Sequence, residues 1–330
     1  MFLLLALAGC ARDATPQKLA GATMGTTWHV TYIAGATAPG VESVQAGIEA
    51  QLEQVNLSMS TYRPDSEISR FNALGSGRVF TASAEFVAVL QAALDIGQHS
   101  EGAYDVTVAP LVDLWGFGPA GTVTVPPSPQ AIAQVMAGIG QQAIELDIGT
   151  RQVRKDKALS VDFSSLAKGY AVDRVAQWLL SQGIDRFMVE VGGEMRLSGL
   201  SGRGDGWRIA IEEPDISGRT IATTVTMSDT ALATSGDYRN YFESNGRRYS
   251  HSIDPRTGYP VEHDLVSVTV AHPSCMIADA WATALTVLGA ERAMAVAQEQ
   301  GLAVYFIRRV NDGFEQSHTP LFSRYLGEQQ

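Results

Sequence analysis

The spacing of apolar positions divides the chain into helices and strands that come in runs. Thr26 to Ile33 (TTWHVTYI) is dense in β-branched and aromatic residues and predicts a strand, preceded by a loop of small residues from Gly21 to Thr26. Val41, Val44, Ile48, Leu52 and Val55 recur at helical spacing and predict a helix over 42–57. Phe86, Val89, Leu90, Ala93 and Leu94 mark a second, ending near Gly97 or Gly102. Ser128-Pro129, a capping residue followed by proline at the first helical position, starts a short helix that stops near Gly138 or Gly140. Residues 143–148 and 158–163 read as strands flanking a turn. The third long helix spans 164–182, with Leu166, Tyr170, Val175, Trp178 and Leu179 inward and Gly183 as its stop. Phe187, Val189 and Val191 alternate into Gly192-Gly193, where the backbone can approach a ligand or another strand closely. Further strands are predicted at 207–213, 220–227, 265–271 and 302–309, and helices at 275–288 and 290–300. Strands in runs with helices between them predict an α+β fold of largely antiparallel sheets packed with helices, over a doubly wound one. No internal repeat, low-complexity tract or clean linker divides the chain, which favours a single large domain.

At 330 residues, with 45% hydrophobic and 18% charged residues, the chain is globular in composition and long enough for a substantial core. A net charge of −11 with no basic run argues against nucleic acid as a partner. An anionic ligand would need local help from glycine amides, a metal ion or a few arginines. The apolar stretch Met1 to Gly9 is too short to span a bilayer and ends in Leu7-Ala8-Gly9-Cys10, which resembles a bacterial lipoprotein signal with its cleavage box. The expected division is a signal peptide at 1–9, a tether at 10–20 lipidated on Cys10, and one domain over 21–330. The protein would then be held by its lipid at a membrane of the bacterial envelope, facing the periplasm. A buried N-terminal strand is the alternative. Cys10 and Cys275 are the two cysteines, so lipidation of Cys10 would rule out a disulfide, and a cysteine zinc site is excluded. Cys275 is expected to pack as a small hydrophobe at a helix start.

Two places concentrate chemistry. Residues 234–260 combine tyrosines and arginines with Ser250-His251-Ser252 just before the turn Asp254-Pro255-Arg256-Thr257-Gly258. A bend there can aim the imidazole of His251 at a ligand, although a surface hairpin carrying a hydrogen-bonded histidine accounts for the same residues. Asp254 either orients that imidazole or closes the turn. Asp279 and Thr283 sit at i and i+4 of the helix CMIADAWATALTVLG and present two oxygens from one face, an arrangement suited to Mg²⁺ when backbone carbonyls add to it. Other features are weaker. Tyr62, in the polar segment 57–72, is a stacking platform or a half-buried loop tyrosine. The segment 102–118, rich in glycine and aromatic residues, is a ligand wall or a core loop. Asp162, ahead of the third helix, forms a polar nook with free amides or is an ordinary helix-start acid.

Motifs in order along the chain resemble those of the ApbE family of flavin transferases. They are LSMSTYRPDSEISRFN (57–72), GAYDVTVAPLVDLWGFG (102–118), VDFSSLAKGYAVDR (161–174), VGGEM (191–195), TSGDYRNYF (234–242), HSIDPRTGYP (251–260) and SVTVAHPSCMIADAWATALTVLG (267–289). The resemblance covers about residues 20–325 and implies an ApbE-like, T-fold-related single domain. It implies an enzyme that takes FAD as substrate, uses Mg²⁺, and passes the FMN moiety to a Thr or Ser hydroxyl of a target flavoprotein, leaving a phosphodiester and releasing AMP. The implied acceptors are flavoprotein subunits of membrane redox complexes of the sodium-pumping quinone reductase (Na⁺-NQR) or Rnf type. FAD hydrolysis to FMN and AMP, and flavin binding without catalysis, are the alternatives. By resemblance, the metal ligands fall on Asp279, Thr283 and the backbone carbonyl of Ser165. Flavin contacts fall on Met24, Tyr62, Ala103, Tyr104, Asp105, Asp162, Lys168 and Ile253. His251 is the candidate general base, since a hydroxyl nucleophile is weak until its proton is taken. The chain departs from the family pattern at Tyr104, where phenylalanine is common, at Ser252, and at Ala282, where some relatives carry an acid beside the metal threonine.

Overall fold

The computed structural model describes residues 15–118, 121, 123, 125–214, 220–236, 241–244, 246–311 and 313–327. Its centre is an eight-stranded sheet whose strands, numbered β1–β8, lie side by side in chain order. They are Gln17–Thr23, Thr26–Tyr32, Phe187–Val191, Glu194–Ser198, Thr230–Gly236, Leu265–His272, Ala303–Val310 and Gly313–His318. Every neighbouring pair is antiparallel. The expected α+β class with largely antiparallel sheet is therefore the observed one.

Alternation along the strands sorts side chains to two faces. Ala231 and Ala233 of β5, Val268 and Val270 of β6, and Val304 and Phe306 of β7 face the larger core. That core is closed by helices α1 (Val41–Met59), α3 (Ala84–His99), α6 (Ala167–Ser181), α7 (Cys275–Leu288) and α8 (Ala290–Glu299). Leu232, Ala303, Tyr305 and Ile307 point the other way, onto the hairpin 207–212/221–227 and the turn around Phe322. A third, smaller core joins helices α4 (Ala109–Leu114) and α5 (Pro129–Met136) to the segment 241–260 through Leu111, Trp115, Ile132, Ile139 and Ile253. The remaining helix, α2, is Glu67–Ala73.

Three expectations need correction. The strand expected at 158–163 is absent, and the true partner of Ile144–Asp147 is Gln152–Lys155, with Val79–Thr81 beyond it. The backbone of 158–163 is engaged elsewhere. The Asn72 side chain donates to the Val161 carbonyl (2.8 Å) and accepts from the Val161 N–H (2.8 Å), while Asp162 N–H donates to the Val106 carbonyl (2.7 Å). Secondly, β1 begins at Gln17, so residues 17–20 of the expected tether belong to the sheet, and Gly21 to Thr23 are strand where a loop was expected. Thirdly, α6 begins at Ala167 and not at 164, because Asp162 accepts from Ser164 N–H (2.7 Å) and holds the chain in a turn before the helix. The signal peptide and Cys10 lie outside the described residues. Among those described, no helix is long and apolar enough to cross a membrane.

Candidate active site

The site is built where the first turns of α6 and α7 meet. Gly169 lies so close to α7 that a Cβ there would stand 2.4 Å from the Cys275 carbonyl oxygen and 2.8 Å from the Met276 Cα. This approach lets the Gly169 N–H donate to Asp279 Oδ2 (3.1 Å). Gly169 is the third residue of α6, so its N–H is one of the first-turn amides that have no acceptor within the helix, and Asp279 supplies one. Ser165 precedes the helix, and among the described residues no backbone amide donates to its carbonyl.

Asp173, one turn further along α6, fixes the start of α7. Its carboxylate accepts from Cys275 N–H and Met276 N–H (both 3.1 Å), from the Ser274 hydroxyl (2.7 Å) and from Arg196 Nη1 (2.7 Å). Acceptors for free amides at a helix start are stabilising, the more so when charged. Asp173→Ala is expected to lower stability by about 3 kcal/mol, because it strips two amides of their acceptor and leaves Arg196 unpaired. Equilibrium urea denaturation checks this.

Around the junction lies a compact charged group. Lys168 Nζ stands 3.4 Å from Glu194 Oε1 and 3.8 Å from Asp279 Oδ2, and donates to the Ser164 carbonyl at 3.4 Å. Burial disfavours the Lys168 ammonium, but Asp279 and Glu194 outweigh it and hold the ammonium above the ordinary lysine value. Burial, reinforced by neighbouring Asp279, raises the Glu194 carboxyl, and Lys168 draws it back. The Asp279 carboxyl is also raised, by burial, and is drawn back by Lys168 and the Gly169 amide. Glu194 Oε2 is buried and has no hydrogen-bond partner. Two buried carboxylates thus share one ammonium, which leaves an excess of negative charge when both are ionised.

Those features fit a bound Mg²⁺. The donors available are all oxygen: the Asp279 carboxylate, the Thr283 hydroxyl one turn on from it, and the Ser165 carbonyl ahead of α6. Among the described residues, no group of three or more His, Cys, Asp or Glu could hold a metal. A site with few protein ligands suits Mg²⁺, which keeps water or phosphate oxygens in its shell.

The segment 102–118 runs from this junction to the third core. At one end Tyr104, buried, hydrogen-bonds to the Ser165 hydroxyl (2.8 Å), and burial raises its phenol above the usual value. Ala103 is buried beside it. Asp105 gives its carboxylate to its own loop, accepting from Thr107 N–H (2.7 Å), the Thr107 hydroxyl (2.6 Å) and Gln141 N–H (3.0 Å). At the other end Trp115 Nε1 donates to the Gly258 carbonyl (2.9 Å) and its ring stacks on Tyr249. His251, half-buried, meets the edge of Phe117 with ring centroids 6.3 Å apart. The side chain of Ile253 is packed in the third core, which leaves its backbone for any ligand contact. Asp254 accepts from Arg256 N–H (2.9 Å), Nε (2.9 Å) and Nη2 (2.8 Å), so it closes the turn.

Met24 occupies the two-residue turn between β1 and β2 at φ 49°, a left-handed conformation uncommon for a residue with a long side chain. The next strand pair adjoins it, since Gly192 N–H donates to the Thr27 carbonyl (3.0 Å). Tyr62 stands apart after α1, 78% exposed. Tyr104, Ser165, Lys168 and Asp279 are thus brought into one group, and His251 and Ile253 belong to a second that the 102–118 segment joins to it. Sequence reasoning missed Glu194, Gly169 and Asp173. The signals pointing there were the pair Gly192-Gly193 and the two motifs that contain these residues, VGGEM (191–195) and VDFSSLAKGYAVDR (161–174). Cys275 is buried and its thiol is pushed well up by burial, as expected of a packing residue.

The sequence model described as the ApbE family matches residues 24–306. A curated relative from Vibrio cholerae, named FAD:protein FMN transferase, is 45% identical over 327 residues, covering 98% of this chain and 97% of that protein. The Escherichia coli K12 protein of the same name is 39% identical and covers 96% of this chain and 93% of its own length. Among solved structures, the flavin transferase ApbE from Vibrio cholerae superposes with a TM-score of 0.89 at 44% identity, over 95% of this chain and all (100%) of that one.

Proposed function

The chain belongs to the ApbE family and is a flavin transferase, and we propose that it carries the FMN moiety of FAD to a Thr or Ser hydroxyl of a target protein in a Mg²⁺-dependent reaction. What supports the finer reading is the bond from the Gly169 amide to Asp279, which holds that carboxylate at the start of α6 beside the Lys168 ammonium and the Ser165 turn. Phosphoryl transfer needs charge neutralisation and in-line positioning more than covalent help from the protein. Mg²⁺ held by Asp279, Thr283 and the Ser165 carbonyl would neutralise diphosphate charge when bound. Lys168 adds a fixed positive charge next to the same oxygens. The acceptor oxygen bonds to the flavin-side phosphorus, the bond from that phosphorus to the bridging oxygen breaks, and AMP leaves with that oxygen. The hydroxyl proton passes to the His251 imidazole. Tyr104 keeps its proton, and its link to Ser165 sets the turn that carries the carbonyl.

The test is intact-mass spectrometry of an acceptor domain incubated with FAD, Mg²⁺ and this protein, beside an Asp279→Ala control. A gain of one FMN phosphodiester, absent with the control, is the expected result. AMP and FMN accumulating in solution without an adduct would make the protein an FAD hydrolase. FAD left intact beside a competent acceptor would make it a flavin-binding protein.

The setting we infer is a lipid anchor at Cys10 in the bacterial envelope, with flavoprotein subunits of Na⁺-NQR- or Rnf-type complexes as acceptors. The motif Leu7-Ala8-Gly9-Cys10 supports the anchor. The mass of the mature N-terminal peptide decides it, since an unmodified Cys10 would remove the anchor.

A further inference from the structure

Glu194 belongs to no role derived so far, and the fold gives little reason for it. It sits at the first position of β4, 4% exposed, with Oε2 buried and unpartnered. A buried carboxylate with an unsatisfied oxygen costs stability, and an amide of the same shape would be tolerated at least as well. The backbone is nonetheless shaped to bring it in. Gly192 takes φ 63° in the turn before it, and a Cβ there would lie 3.1 Å from Lys168 Cδ and 3.4 Å from Glu194 Oε2. The contact it makes is with Lys168, whose ammonium is nearer to Glu194 (3.4 Å) than to Asp279 (3.8 Å).

We propose that Glu194 is a positioning residue for the cation site: it draws the Lys168 ammonium away from Asp279, so that the Asp279 carboxylate is left open to a divalent cation. Without Glu194 the ammonium would have Asp279 as its one carboxylate neighbour in the group and would settle on it. A lysine paired closely with the ligand competes with the metal for the same oxygen. With Glu194 present, the ammonium is held between two acceptors and stays available to phosphate oxygens. The inference rests on the reading of Asp279 as a cation ligand.

The experiment measures Mn²⁺ binding to the full chain without flavin, by the loss of the free Mn²⁺ electron paramagnetic resonance signal, together with thermal unfolding of the metal-free protein. Glu194→Gln is expected to weaken Mn²⁺ about tenfold, within the range of coupling between charged neighbours. Its metal-free melting temperature should be unchanged or raised, which a purely structural role would not produce. Placed in a Lys168→Met background, the same substitution should have no effect on Mn²⁺, because the competing ammonium is gone. Wild-type affinity in Glu194→Gln overturns the proposal. A tenfold loss that persists in the Lys168→Met background also overturns it, by making Glu194 a direct partner of the metal. Should Glu194→Gln fail to fold, Glu194→Asp, one methylene short of Lys168, takes the same measurement with the same criteria. Asp279→Asn separates the two levels. If it binds Mn²⁺ like the wild type, the cation reading itself fails. If it loses Mn²⁺ while Glu194→Gln does not, the role of Glu194 alone is wrong.

Discussion

Replacing His251 with alanine is expected to slow flavin transfer by about 10²–10⁴-fold while FAD binds nearly as before. The imidazole, just ahead of the turn 254–258, is suited by its ordinary pKa to take a proton from a hydroxyl near neutral pH. Its surroundings favour that role. Asp254, the nearby acid, is engaged by Arg256 through its side chain and amide and so closes the turn next to the imidazole. Phe117 meets the ring edge-on and limits its swing. Binding should survive because the charged junction at Lys168 and Asp279 lies on other elements, α6 and α7. Single-turnover transfer followed by acceptor mass, with FAD affinity measured by quenching of flavin fluorescence, separates the two effects. Equal losses in both would reduce His251 to a binding residue.

The fold was legible where side-chain pattern reflects burial, and illegible where it does not. The run Ala303 to Ile307 (AVYFI) read correctly as a strand because both faces of β7 are covered and every position is apolar. Its neighbour β8, GFEQSH, is an edge strand exposed along most of its length, so it carries no hydrophobic signal and was not foreseen. The opposite error arose at 158–163. That segment is apolar and extended, but its partner is the side chain of Asn72, which imitates a neighbouring strand with one donor and one acceptor. No local pattern reveals a partner 89 residues away.

The site divides in the same way. Asp279 and Thr283 could be paired from sequence because helical geometry alone puts i and i+4 on one face. Glu194 could not be added to them, since the strand that carries it meets α6 only in the folded chain, through Glu194–Lys168 and Arg196–Asp173. Asp105 shows the reverse: its place in the motif suggested a ligand contact, whereas the structure occupies both its oxygens with Thr107 and Gln141. A motif identifies the residues of a site better than it identifies the atoms left open for a ligand.

Gly169→Ala should be among the most damaging single substitutions in the protein, although it adds one methyl group. The new Cβ would stand 2.4 Å from the Cys275 carbonyl oxygen and 2.7 Å from its carbonyl carbon, both backbone atoms of α7. They cannot swing aside as a side chain would, and Asp173 with Arg196 pins that turn from below. The two helices must therefore separate. Overpacking of this kind costs about 3 kcal/mol, a fall of several degrees in melting temperature for a chain of this size. The separation also withdraws the Gly169 amide from Asp279, so cation affinity should fall further than the stability loss accounts for. Gly47→Ala is the control, because its Cβ would meet the Trp178 ring at 1.9 Å, a comparable clash but with a side chain, where α1 packs on α6. Both variants should melt earlier. Only Gly169→Ala should lose Mn²⁺ affinity, and its retention there would show that the site does not depend on how closely α6 and α7 approach.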